Sequence, residues 1–179
     1  MSNIVIVPNT VLRQVAKPVE TLDRRIQNIV KDMEKTLLAA KSPQGVGLAA
    51  SQIGTALRIF LIRPVKNGPI TAFINPEIIK YSQRTTRPTR KKGVYEGCLS
   101  IPNHYAPLER SASVTVKYLT LNPSPIIGEG NKKGEVSEKT AVFSGFPAHV
   151  IQHEIDHLNG ILFIDRVLEQ NTPLFKLEG

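Results

Sequence analysis

The fold turns on one stretch, Pro147-Ala148-His149-Val150-Ile151-Gln152-His153-Glu154-Ile155-Asp156-His157-Leu158, followed by Asn159-Gly160. Pro147 suits a first helical turn, where a missing N–H costs little. Asn159-Gly160 is a left-handed stop. A helix over residues 147–158 follows. Positions four apart share a face, so His153 and His157 can bind one metal ion. Glu154, beside the first histidine, is placed to handle a proton on bound water. His149 lies one turn earlier, and no glutamate follows it; a partly exposed or pocket-wall imidazole is the simpler reading. Asp156 reads as structural, orienting an imidazole or a nearby backbone group.

Two histidines need a third ligand. No histidine lies downstream of His157, and the carboxylates there are Asp165, Glu169 and Glu178. Upstream stands the only cysteine, in Glu96-Gly97-Cys98-Leu99-Ser100. A buried structural cysteine is the ordinary reading of such a residue. Cys98 follows a glycine at the end of a strand candidate, where backbone can approach a ligand closely, and a metal would hold it as thiolate. A third segment, Gly45-Val46-Gly47-Leu48-Ala49-Ala50-Ser51-Gln52, lacks the Lys-Ser/Thr pair of a phosphate loop. Its glycines expose backbone groups, and Gln52 offers an amide donor.

Outward from the histidine helix, Ile26, Val30, Met33, Leu37 and Leu38 recur at helical spacing over residues 23–40, with Asp23 as cap. Pro43, Gly45 and Gly47 break that helix. Residues 58–63 form a buried strand candidate; 71–81 is another, interrupted at Pro76. Residues 93–100 and 111–121 follow, the latter alternating well. Residues 122–138, rich in Gly and Pro, read as a loop or hairpin excursion. From Ile161 the chain reads as an extended piece and a short tail. The fold class is α+β: antiparallel strands packed around a central metal-binding helix, with an N-terminal amphipathic helix, in one domain spanning 1–179.

Composition agrees. Hydrophobic residues make up 41% and charged residues 21% of 179, which is globular rather than disordered. One cysteine forbids an intramolecular disulfide and fits a reducing compartment. No run approaches the ~20 apolar residues of a membrane span, and the N-terminus lacks the basic and apolar regions of a signal peptide; a cytoplasmic protein is expected. The net charge is +8. Its densest cluster, Arg84, Arg87, Arg90, Lys91 and Lys92, has only Tyr81 and Tyr95 as aromatic flanks, so a solvated basic face is favoured over specific nucleic-acid binding.

Taken together, and in this order, Gly45-x-Gly47-x-Ala49-Ala50-x-Gln52, Glu96-Gly97-Cys98-Leu99-Ser100 and Gln152-His153-Glu154-x-Asp156-His157 resemble the peptide deformylase family. Val7-Pro8-Asn9 through Leu12-Arg13, and Asn159-Gly160 to Phe163-Ile164-Asp165, look like the same family, so the match covers roughly residues 5–165. The resemblance implies hydrolysis of the N-formyl group of N-formylmethionyl peptides, releasing formate. It implies Fe²⁺ held by Cys98, His153 and His157, with Zn²⁺, Ni²⁺ or Co²⁺ able to replace it; coordination chemistry alone favours zinc. It assigns Glu154 as general acid/base, and the Gln52 amide and Leu99 N–H as oxyanion donors. The substrate-contacting set is Gly45, Val46, Gly47, Val94, Glu96, Phe146 and Val150. A monomer with transient ribosome association is expected. His149 and Tyr105 depart from residues common in the family at those positions. Glu96 and Arg110 are expected to form a buried or semi-buried ion pair supporting the cysteine strand. The competing readings are a zincin-like endopeptidase, which expects a downstream third ligand, and a catalytically dead binding protein, which expects a missing ligand or glutamate.

Overall fold

The computed structural model describes residues 2–40, 44–86, 88, 95–121 and 136–177. In chain order the strands are β1 (Gly47–Ala49), β2 (Ile59–Ile62), β3 (Thr71–Tyr81), β4 (Thr85–Thr86), β5 (Glu96–Cys98), β6 (Ile101–Ala106), β7 (Arg110–Ser111), β8 (Ser113–Leu121), β9 (Val136–Ser144) and β10 (Phe175–Lys176). The helices are α1 (Arg24–Ala39), α2 (Phe146–Leu158) and α3 (Phe163–Glu169), and 3₁₀ turns cover Thr10–Arg13 and Ala50–Ile53. Val94, the break at Pro43, the basic residues Arg87, Arg90, Lys91 and Lys92, and positions 122–135 of the excursion lie outside the described residues.

The architecture is α+β, with helices on antiparallel sheets. A five-stranded sheet runs β1-β2-β3-β8-β9, every neighbouring pair antiparallel. Its strand β2, Ile59-Phe60-Leu61-Ile62, is buried throughout because both faces are covered. Alternation sends Ile59 and Leu61 to one face, where Ile26, Val30, Met33 and Leu37 of α1 close over them. It sends Phe60 and Ile62 to the other, against Val150, Ile151, Ile155 and Leu158 of α2. Phe60 stacks on Phe73 at 4.6 Å between centroids, and Phe73 meets Tyr118 at 4.2 Å. These rings form the floor beneath α2.

A three-stranded sheet, β10-β6-β5, packs elsewhere on α2. Cys98, Ile101, Ala106 and Leu108 form a third core there with Leu12, Phe163 and Val167. Helix α2 is therefore enclosed: every residue from Ala148 to Leu158 is buried. The N-terminal segment straps this assembly, donating from Val5 N to Gln52 O, Val7 N to Ser100 O and Ala16 N to Leu158 O. Among the described residues, no helix is long and apolar enough to cross a membrane.

Two expectations change. The extended piece after Ile161 is instead α3, whose N-terminus is capped when Leu162 N donates to Asp165 Oδ2. Pro76 does not end its strand: β3 continues, but its pairing with β8 shifts register between Ile74 and Glu77. The shift follows Asn75, whose φ is +49° and whose side chain bonds Val19 N and O, so a left-handed residue absorbs the bulge.

Asp23 caps α1 by accepting from Ile26 N at 3.0 Å. Asp23→Ala is expected to cost about 1 kcal/mol, lowering Tm by roughly 2–4 °C. A thermal melt checks this; an unchanged Tm would mean the cap contributes nothing.

Candidate metal centre

Strand β5 and helix α2 build the site together. In β5, alternation places Glu96 and Cys98 on one face, both buried against α2. Gly97 between them faces the other way, where a Cβ would stand 2.7 Å from the Tyr105 ring. On α2, His149, His153 and His157 form a stripe at four-residue spacing. The rings of His153 and His157 lie nearly perpendicular, 4.8 Å apart.

One ligand atom from each of Cys98, His153 and His157 falls within 4.8 Å of the others, all three residues buried. Cys98 Sγ is 3.1 Å from His157 Nε2. A single ion bonded at ~2.3 Å to sulfur and ~2.0 Å to nitrogen separates tetrahedral ligands by about 3.5 Å, so the Cys98–His157 separation is within a few tenths of an ångström of what one ion needs. Nδ1 of His153 is 2.7 Å from Glu96 Oε1, leaving Nε2 for a ligand. The donor set therefore fits a metal ion. The described downstream carboxylates do not join it: Asp165 pairs with Arg13, and Glu169 with Arg166; Glu178 lies outside the described residues.

Charge around the cluster is closely matched. Arg110 grips the Glu96 carboxylate at both oxygens, Nη2 to Oε1 at 2.7 Å and Nε to Oε2 at 3.0 Å. The expected Glu96–Arg110 pair is therefore present, and both residues are buried. His149 Nε2 approaches Glu96 Oε2 to 2.7 Å without making a directed hydrogen bond. His149 is thus buried on the glutamate and lines the adjoining cleft, the pocket-wall alternative rather than the partly exposed one. Burial alone would raise the Glu96 carboxyl, but His153 and Arg110 hold it well below its usual range. Burial likewise raises the Cys98 thiol, and the two imidazoles overcome this, bringing it down to about 5. The thiolate a metal needs is favoured before any metal arrives.

Asp156 is structural, as expected, but with different partners. It touches no imidazole; its carboxylate lies between two guanidiniums, Arg110 Nη1 at 2.6 Å and Arg166 Nη2 at 2.6 Å. A continuous chain of pairs results, from His153 through Glu96, Arg110, Asp156 and Arg166 to Glu169. Gln152 clips α2 to the sheet edge by accepting from Ser111 N and donating to Ser111 O. The sequence does not reveal these roles of Arg166 and Gln152, because neither belongs to a local pattern that marks its partner.

A cleft of about 230 Å³ opens onto this cluster. Its lining includes Gly45, Val46, Gly47, Gln52, Glu96, Cys98, Leu99, Phe146, Val150, His153 and Glu154. Every described residue expected in the site, save His157 deeper in the cluster, thus reaches one cleft. The Glu96 carboxylate is bonded by Arg110 and His153, with His149 Nε2 beside it at 2.7 Å. Gln52 Oε1 accepts from Ala49 N at 2.9 Å, which fixes the amide so that Nε2 faces Ser100 Oγ at 3.2 Å and Cys98 Sγ at 3.5 Å. Glu154 is buried, with Oε2 lacking any hydrogen-bond partner. Burial pushes its carboxyl up to about 7 against the opposing pull of His153 and His157, where a group can both take and return a proton.

Gly47 explains the glycines of the Gly45–Gln52 segment. A Cβ there would stand 2.1 Å from Glu154 Oε1 and 2.9 Å from Val150 Cγ1. Gly47→Ala is expected to displace the carboxylate and lower turnover roughly 10²-fold, with Tm little changed. Steady-state rates beside a melt would show it; wild-type turnover would mean the carboxylate position is immaterial.

The polypeptide deformylase family model matches residues 1–172. A peptide deformylase of Mesorhizobium japonicum is 43% identical over 168 residues, 92% of this chain and 82% of the relative. The crystal structure of a peptide deformylase from Legionella pneumophila superimposes with TM-score 0.73 at 37% identity, covering 93% of this chain and 85% of that one. The Met-Ala-Ser-bound class I type b peptide deformylase from Acinetobacter baumannii gives TM-score 0.74 at 33% identity, covering 93% and 98%. With a family match over nearly its whole length and relatives this similar, the chain belongs to the polypeptide deformylase family.

Proposed function

We propose how this chain carries out the reaction of its family, in which a metal-dependent hydrolase removes the N-formyl group from nascent peptides and releases formate. The observation that carries the proposal is the convergence of the Cys98, His153 and His157 donors beside a buried, unpartnered carboxylate oxygen of Glu154 in one cleft. Helix α2 is on this reading the metal-binding helix at the centre of a single domain, with α1 as the N-terminal amphipathic helix.

Cys98, His153 and His157 would hold one ion. When bound, it supplies Lewis acidity, lowering the pKa of a water and polarising the formyl oxygen. Glu154 accepts the proton of the attacking water at its carboxylate and returns it to the departing amine nitrogen. Gln52 Nε2, oriented by Ala49 N–H, and the Leu99 backbone N–H donate to the oxyanion that develops on the former formyl oxygen. Val46, Phe146 and Val150 supply an apolar pocket for the methionine side chain, with Val94 added by resemblance. The Gly45–Gly47 segment pairs with the peptide backbone in strand fashion. Glu96, anchored by Arg110, fixes the His153 ring rather than touching substrate with its carboxylate.

Resemblance supports Fe²⁺ as the working ion, replaceable by Zn²⁺, Ni²⁺ or Co²⁺. It also supports a cytoplasmic monomer, and the net charge of +8 suits transient steering toward the polyanionic ribosome. The Met-Ala-Ser tripeptide bound to the Acinetobacter baumannii relative supports a formyl-Met-Ala-Ser substrate.

Metal analysis tests the ligand set. Cys98→Ala, His153→Ala and His157→Ala should each fall well below one ion per chain after dialysis, with folded far-ultraviolet spectra. Full occupancy in any of them would remove that residue from the site.

A further inference from the structure

We propose that the N-terminal segment, residues 2–9, is a positioning device for the oxyanion site: the amides of Val5 and Val7 tie the turn that carries Gln52 to the turn that carries Leu99. The proposal rests on the deformylase reading of the cleft and concerns a segment outside the cleft's lining.

The two oxyanion donors come from parts of the fold that share no element. Gln52 lies in the 3₁₀ turn Ala50–Ile53, directly after β1 of the five-stranded sheet. Leu99 and Ser100 form the turn between β5 and β6, where Cys98 pairs with Ile101 in the three-stranded sheet. Among the described residues, no strand pairing joins the two sheets. Turns are the mobile parts of a fold unless further bonds hold them. An oxyanion site tolerates little such motion, because each donor must stand about 2.7–3.1 Å from the oxygen as its charge develops.

The N-terminal segment supplies those further bonds. Val5 N donates to Gln52 O at 2.8 Å, and Val7 N donates to Ser100 O at 3.1 Å. Gln52 and Ser100 are buried, where a backbone carbonyl needs a partner from the protein. The two turns also meet directly, Gln52 Nε2 lying 3.2 Å from Ser100 Oγ. A closed circuit results, from Val5 to Gln52, across to Ser100, on to Val7 and back along the segment.

Alternation lets one short stretch reach both turns. Val5 and Val7 pack on the core that holds Cys98, while Ile6 between them is 54% exposed. Ile6 N has no backbone partner among the described residues. The stretch is anchored on both sides. Thr36 Oγ1 of α1 donates to Ser2 O at 3.2 Å, and Leu12 is fully buried in the Cys98 core. Val5 and Val7 act through Gln52 and the Leu99–Ser100 turn, so they are positioning residues and not catalytic ones. Oxyanion donors bind the transition state better than the substrate, so loosening them lowers kcat rather than raising KM.

The test uses the full-length, metal-loaded protein and formyl-Met-Ala-Ser. Val5→Pro and Val7→Pro each delete one donating N–H. Each is expected to lower kcat roughly 10- to 100-fold, with KM within about 2-fold and one metal ion per chain. Ile6→Pro makes the same chemical change without removing a bonded N–H, and should keep kcat within about 3-fold. Thr36→Val frees the Ser2 end from α1 and leaves both amides in place, so it reports even where a proline variant does not fold. It should lower kcat roughly 2- to 5-fold, again at constant KM. Normal kcat in Val5→Pro and Val7→Pro, or in Thr36→Val where those two do not fold, overturns the positioning role alone. So do equal losses in all three proline variants, or losses in KM or metal content instead of kcat. No formate from the unsubstituted protein would overturn the deformylase reading itself, and this proposal with it.

Discussion

Glu154→Gln is expected to bind one metal ion per chain and to release formate roughly 10²- to 10⁴-fold more slowly than the unsubstituted chain. Glutamine has nearly the same shape, and Glu154 Oε2 has no hydrogen-bond partner to lose. Burial already disfavours the charged carboxylate, holding it up to about 7, so a neutral amide adds no desolvation cost. The fold and the Cys98–His153–His157 cluster should therefore survive, and the melting temperature should hold or rise. What disappears, on the proposed mechanism, is the carboxylate that takes a proton from water and gives it to an amine. Metal analysis and a formate assay on one preparation separate the two effects. Near-normal turnover with full metal content would remove Glu154 from its assigned role.

Arg110→Met should be the most destabilising of the single changes considered. Its guanidinium bonds Glu96 on one side and Asp156 on the other, and all three side chains are buried. Removing one partner of a buried pair leaves an uncompensated charge and costs about 3–5 kcal/mol; here two carboxylates lose it together. For a chain of this size that lowers Tm by roughly 6–20 °C. A second consequence follows from position. Glu96 also holds His153 at Nδ1, and loosening such a partner typically lowers metal affinity 10- to 100-fold. Calorimetry and a chelator competition measure these separately. A Tm within 2 °C of the unsubstituted chain would show that the pair contributes little.

The parts of this molecule legible in its sequence are those whose signals are local. His153-Glu154-x-x-His157 is a helical repeat with its own start and stop, and α2 lies where those signals place it. The Ile26–Leu37 stripe marks α1, and its cap is Asp23. Strand β6 is not legible in the sequence because Pro102, Asn103 and His104 interrupt any alternation, and only its ends, Ile101 and Ala106, are buried. Strand β9 has no sequence signal of its own: its first three residues fall in the 122–138 excursion, and its Lys139, Thr140 and Val142 lie on an outer strand of the sheet, where burial imposes little pattern. Helix α3 spans two turns, too short for a period to declare itself, and buries only Phe163 and Val167. In the site, the proposed third ligand is 153 − 98 = 55 residues from the first histidine. No spacing rule connects them, and only the ordered motifs did. Asp156 looked like an orienter of imidazole because it sits beside His157; its true partners, Arg110 and Arg166, come from other elements.

The most direct measurement is formate release from formyl-Met-Ala-Ser by the protein loaded anaerobically with Fe²⁺, run beside acetyl-Met-Ala-Ser and an internal peptide. Rapid release from the formyl peptide alone, abolished by chelation and restored by Fe²⁺, is the expected result. An ion bound by Cys98, His153 and His157 with no formate released, or cleavage of the internal peptide instead, would contradict it.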